Sequence, residues 1–123
     1  MATLIRNRQV VESPFPPEAG DVVQIQPADD VAALADRLAG ASRVEVNFPK
    51  FGDGRGFSIA KLLRTQYGYR GELRAVGHVV RDHIGPMEQV GFDSFLLKEG
   101  EDVDVALQAF SDFPIFAPWD TRR

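Results

Sequence analysis

The stretch Phe48–Asp93, FPKFGDGRGFSIAKLLRTQYGYRGELRAVGHVVRDHIGPMEQVGFD, decides how this chain is read. It starts at the end of Val44–Phe48 (VEVNF), where Val44, Val46 and Phe48 alternate with polar residues as in a half-buried strand. A glycine-rich loop follows. Ile59, Leu62 and Leu63 then predict a helix from about Phe57 to Tyr67, with Lys61 and Arg64 facing out and Gly68 as its stop. Leu73–Val76 reads as the next strand. GHVVRDHIGPMEQVG reads as another helix, interrupted near Gly85-Pro86 because proline removes a backbone donor.

The same alternation extends outward. Upstream, Val22–Ile25 is a strand, and Pro27-Ala28-Asp29-Asp30 opens a helix carrying Val31, Leu34 and Leu38 to a stop at Gly40. Downstream, Phe92–Leu97 is a strand, and Glu101–Phe113 is a helix with Val103, Leu107 and Phe110 on one side. The order is β-α-β-α-β-α-β-α. Each helix returns the chain to start the next strand in the same direction, so the expected fold class is α/β, with about four β-α units and a mainly parallel sheet. A small open sheet and half of a (βα)8 barrel both fit this order.

The expected organisation is one compact domain over residues 21–113. Residues 1–20 come before it as a short extended N-terminal arm or hairpin, TLIRNRQVVE turning at Arg6-Asn7-Arg8, plus a linker, SPFPPEAGD, that holds three of the eight prolines. Residues 114–123, PIFAPWDTRR, form a C-terminal tail that carries Trp119. Phe15 in the linker and the Phe48, Phe51, Phe57 trio read as packing anchors.

The 123 residues include no cysteine, which excludes disulfides, thiolate metal sites and cysteine-ligated clusters within this chain. With two histidines, no self-contained metal site is expected. The formal charge of −4 argues against a generic nucleic-acid or anionic-membrane binder. No apolar run approaches the roughly 20 residues that span a bilayer, and MATLIRNRQVV lacks the apolar core of a secretory signal. A cytoplasmic location is the expectation.

In a parallel sheet the strand-to-helix loops share the carboxyl edge, where ligands of α/β sheets bind. The loop after VEVNF carries Lys50, Asp53, Arg55 and Ser58; the next carries His78, Arg81 and Asp82; the last carries Lys98, Glu99 and Asp102. GDGRGFS combines turn-forming glycines with a helix start, whose unpaired amides favour an anion, and Arg55 adds a fork for phosphate, sulfate, sulfite or carboxylate. Lys50, Asp53, Arg55, Ser58 and Arg81 are therefore the ligand-binding candidates. The bland alternative makes the glycines a plain turn, with Arg55 paired to Asp53 or Asp82. Asp53, His78 and Asp82 are the candidates for acid–base work, His78 because its ordinary pKa lies near neutrality. Asp82 has a second reading as a helix cap, with Arg81 in a local pair. Glu72 and Arg74 flank Leu73, so Arg74 sits near a strand end or pairs with a buried carboxylate; Asp93 shapes the turn into the last strand. No cofactor motif is present: GDGRGFS matches neither GxGxxG nor a P-loop.

The ordered motifs FPKFGDGRGFS, LLRTQYGYRGELRAVG and GFDSF resemble the bacterial domain-of-unknown-function 934 family over roughly Val44 to Phe113. The resemblance implies the shared polar positions Lys50, Asp53, Arg55, Ser58, Arg64, Glu72, Arg74, Arg81, Asp82 and Asp93. The family has an acid where this chain has His78, Arg-Cys where it has Gln89-Val90, and a Tyr-Gln pattern that the tail lacks, so the chain is a divergent member. Family members are labelled probable oxidoreductases of sulfite reduction, after their setting in sulfur assimilation. For this chain the resemblance implies an accessory role in assimilatory sulfate or sulfite reduction, with sulfite-reduction enzymes as partners. Two alternatives stand beside it: a non-catalytic interaction domain that forms a homodimer or docks on an enzyme, and a small enzyme using Asp53, Asp82 and His78.

Overall fold

The strands follow the alternation in the sequence, and their neighbours follow from the crossovers. The computed structural model describes residues 3–10, 21–49 and 54–110. The linker with Phe15, the residues Lys50, Phe51 and Asp53, and the tail with Trp119 lie outside the described residues. A hairpin of β1 (Thr3–Arg6) and β2 (Gln9–Val10) comes first, followed by β3 (Asp21–Ile25). A 3-10 turn (Val31–Leu34) runs into α1 (Ala35–Leu38). Then come β4 (Ala41–Phe48), α2 (Arg55–Thr65), β5 (Glu72–Gly77), α3 (Arg81–Gln89), β6 (Ser94–Leu97) and α4 (Val103–Ala109). The result is a mixed α/β domain built on one six-stranded sheet of order β2-β1-β6-β5-β4-β3.

Four strands, β3 to β6, are parallel, and they are neighbours in chain order. Each crossover therefore steps the same way, and right-handed crossovers then put their helices on one face. The core agrees with this. Val23, Ile25, Val44, Val46, Phe48, Leu73, Ala75, Phe95 and Leu97 from alternate strand positions join Ile59, Ala60, Leu63, Ile84, Met87 and Ala106 from the helices in one cluster. The intervening positions of β4 and β5 point to the other face and are mostly polar: Arg43, Glu45, Asn47, Glu72 and Arg74.

The hairpin read from TLIRNRQVVE is present and belongs to the sheet, with β1 antiparallel to β6. Its turn residues Asn7 and Arg8 have φ of 53° and 65°, the left-handed values that a two-residue hairpin turn needs. Arg8 tolerates this position while its guanidinium donates to both Glu88 oxygens at 2.9 and 2.6 Å and lies over Phe110. Those hydrogen bonds hold the Arg8 pKa above its ordinary value against the opposing effect of burial. Because β1 occupies the outer edge of β6, a half-barrel could not close through that edge, and the open sheet is the arrangement found.

Three local expectations are corrected. The helix after β3 does not open at Pro27: Asp29 accepts the Gln26 amide in a turn, and Asp30 caps the helical segment by accepting from Ala32 N. Pro86 does not interrupt its helix, which is continuous from Arg81 to Gln89. Arg64 does not face solvent; it is 8% exposed and is bonded on several sides.

Candidate functional site

Polar residues collect at both ends of the parallel strands, in two different ways. At the amino end, Arg64 reaches from α2 to the starts of β5 and β6. Its Nε donates to the Gly91 carbonyl at 3.0 Å, and its Nη1 donates to the Tyr69 and Gly71 carbonyls at 2.9 Å each. Its plane lies over the Tyr69 ring, and Asp93 Oδ2 is 3.7 Å from its Nη2. Asp93 Oδ1 accepts from Leu73 N, while the Asp93 carbonyl accepts from Asn7 N in the hairpin turn. Asp93 therefore shapes the entry to β6, as its sequence position indicates, and also ties the hairpin to β5. Tyr69 donates its hydroxyl to the Glu72 carbonyl, and burial, followed by smaller charge effects, pushes its pKa up to about 12.

Glu72 and Arg74 continue this system onto the sheet face opposite the described helices. Arg74 donates through Nη2 to Glu72 Oε2 at 2.7 Å and through Nε to Ser94 Oγ at 3.1 Å. Both charged side chains are under a tenth exposed, so the second reading of Arg74, pairing with a buried carboxylate, is the one found. Glu45 accepts from Arg43 Nη2 at 2.9 Å and lies 3.8 Å from Arg74 Nη1. A depression of about 360 Å³ beside Tyr67 and Tyr69 also lies at this amino end, floored by Leu38, Ala39 and Ala41.

Of the residues proposed from sequence for ligand work, Arg55, Ser58 and Arg81 stand at the carboxyl end, while Lys50 and Asp53 lie outside the described residues. Arg55 is the first residue of α2 and is exposed, as is Ser58 one turn in. A Cβ at Gly56 would collide with the Phe48 ring, so glycine lets the start of α2 settle against the end of β4. His78 follows β5 half-buried, and its amide donates to the Phe48 carbonyl at 2.6 Å, which fastens the ends of β4 and β5 together. Arg81 and Asp82 open α3. Their side chains are 52% and 74% exposed and pair locally at 3.2 Å. Asp82 does not cap the helix; Glu101, from the loop after β6, accepts the Arg81 amide at 3.1 Å. Glu101 carries no local sequence signal for this role, because the contact joins two loops.

Phe48 and Phe57 meet edge to face at 5.5 Å, and Phe57 meets His83 in the same manner at 6.4 Å. These rings anchor α2 to β4 and α3, in line with the packing reading of Phe48 and Phe57. The strand order never reverses between β3 and β6, so the sheet lacks the switch-point crevice of dinucleotide-binding folds. The carboxyl ends of β3 to β6 form a row instead. Sequence reading also passed over a strip of carboxamides at this end: Asn47 Nδ2 donates to Gln26 Oε1 at 2.8 Å, and Gln26 Nε2 donates to Gln24 Oε1 at 3.4 Å. The signal was available in VEVNF, where Asn47 falls on the opposite face from Phe48.

Among the described residues no group of three or more His, Cys, Asp or Glu is placed to hold a metal ion. Among the same residues no helix is long and apolar enough to cross a membrane. A family model described as "Bacterial protein of unknown function (DUF934)" matches residues 22–118. No curated protein and no solved structure matches the chain.

Proposed function

We propose, for a chain that belongs to the DUF934 family of bacterial proteins of unknown function, an accessory role in assimilatory sulfate or sulfite reduction through binding of an oxyanion or phosphate-bearing ligand at the carboxyl-edge loops. The start of α2 is the observation that supports this most. Asp36, Asp82 and Asp104 stand in the first turns of α1, α3 and α4, whereas the first turn of α2 has no acid and begins with Arg55. A helix whose own first turn has no acid and begins with a guanidinium favours an external anion. The absence of cysteine supports an accessory role over sulfite reduction by this chain alone, which would require a strong redox cofactor. An enzyme reading draws little from Asp82, an exposed residue paired with its neighbour.

Calorimetric titration of the whole chain with sulfite, sulfate and inorganic phosphate tests the binding. Saturable binding that weakens at least tenfold in Arg55→Ala is the expected result. No saturable binding, or equal binding by the variant, overturns it. Deleting the gene and growing the strain on sulfate as sole sulfur source tests the setting: impaired growth, restored by a reduced sulfur source, is expected, and unimpaired growth argues against it.

A further inference from the structure

We propose that the carboxamide strip on the sheet face opposite the described helices, Asn47 with Gln26 and Gln24, reads the heterocyclic base of a nucleotide whose phosphate is held at the start of α2. The direction of the strip is set by Glu45. That carboxylate lies between Arg43 Nη2 at 2.9 Å and Arg74 Nη1 at 3.8 Å, and an ionised carboxylate only accepts hydrogen bonds. Gln24 must therefore turn its Nε2 toward Glu45 Oε1, at 3.3 Å. The Gln24 carbonyl then takes the N–H of Gln26, and the Gln26 carbonyl takes the N–H of Asn47. Each amide is oriented by the one before it, back to a fixed charge, so the choice between oxygen and nitrogen ends is not arbitrary.

What remains unused follows from this order. Asn47 keeps its carbonyl oxygen as an acceptor, and Asn47 and Gln26 each keep a second N–H. An acceptor beside donors on neighbouring strands complements a base edge with an adjacent donor and acceptor, the pattern by which Asn and Gln pair with adenine. Position supports the match. Asn47 and Gln26 stand at the carboxyl ends of β4 and β3, at the same sheet edge as the start of α2. Gly77, on the next strand, lies directly under the Asn47 carbonyl: a Cβ there would collide with Asn47 Oδ1 and with the Phe48 carbonyl. The absence of a side chain at Gly77 lets Asn47 Oδ1 lie close over the end of β5. A bare anion has no use for such a strip, since an exposed carbonyl repels it.

The phosphate end of this inference rests on the anion reading above; the base end rests on the strip alone. The test is calorimetry on the whole chain with adenosine 5′-phosphate, ribose 5-phosphate, adenosine and inorganic phosphate, repeated with Gln26→Leu and Asn47→Leu. Gln26 is exposed, so its variant is expected to fold even if the Asn47 variant does not. The expected result is at least tenfold tighter binding of adenosine 5′-phosphate than of ribose 5-phosphate. Gln26→Leu should abolish that difference and leave phosphate binding unchanged. Equal affinity for the two sugar phosphates overturns the base-reading strip and leaves the anion reading standing. Binding of adenosine without any contribution from phosphate upholds the strip and overturns the anion reading. Binding of none of the four overturns both.

Discussion

The two ends of the parallel strands both carry charged residues and use them differently. At the amino end, Arg64, Glu72, Arg74 and Asp93 are largely withdrawn from water and bonded to carbonyls, amides and one another. At the carboxyl end, Arg55, Ser58, Arg81 and Asp82 are exposed, and the Arg81–Asp82 pair joins adjacent residues. All eight are among the positions that the family resemblance implies to be shared, so residue identity alone does not separate them. Burial and partners do. A buried guanidinium is costly unless it is satisfied, so its partners must be fixed by the fold. An exposed one is held only weakly by its partners on the chain, so an anion from solution can compete for it.

The largest test of this contrast is Arg64→Leu. It removes the donor to three carbonyls and the cation beside the Asp93 carboxylate, and a loss of about 3–5 kcal/mol in urea unfolding is expected. A loss below about 1 kcal/mol would mean that the amino-end contacts are incidental. Next is Gly91→Ala. Gly91 has φ of 122°, and its Cβ would run into the Arg64 side chain, so a loss of about 2 kcal/mol is expected. If the variant is as stable as the parent, Arg64 is not held where the account needs it.

How much of this was legible in sequence depends on the range of the contact. The α/β class and the mostly parallel sheet followed from alternation and helical spacing, both local patterns. The hairpin did as well, because Asn7 and Arg8 sit between two short apolar runs. Arg64 was misread because its position next to Leu63 gives no sign that three carbonyls, from Tyr69, Gly71 and Gly91, converge on it. The continuity of α3 through Pro86 was missed because tertiary packing overrides the helix-breaking tendency of proline. Candidate loop residues were legible as chemistry, but their separation into buried and exposed sets depends on contacts between distant parts of the chain.

Tyr69 gives a third, smaller test at the amino end. Its folded pKa, about 12, lies above the ordinary value near 10. The folded state therefore holds this proton more tightly than the unfolded state does. Its contribution to stability is complete below pH 10 and is lost as the pH rises through 12. Unfolding free energy measured against pH should fall across that window, and Tyr69→Phe should flatten this part of the decline. An identical decline in the variant would assign it to other groups. The smallest effect belongs to the carboxyl end, where Asp82→Asn is expected to change stability by less than about 0.5 kcal/mol, because the pair it breaks is exposed. A larger loss in chemical unfolding would give Asp82 a structural role.

The contrast between the two ends is tested most directly by following backbone amide resonances of the whole chain during titration with inorganic phosphate at constant ionic strength. The account predicts saturable shifts at Arg55, Gly56, His78 and Arg81, with Tyr69, Gly71, Leu73 and Asp93 unmoved. Saturable shifts centred on Tyr69 to Leu73, or none at the start of α2, would contradict it.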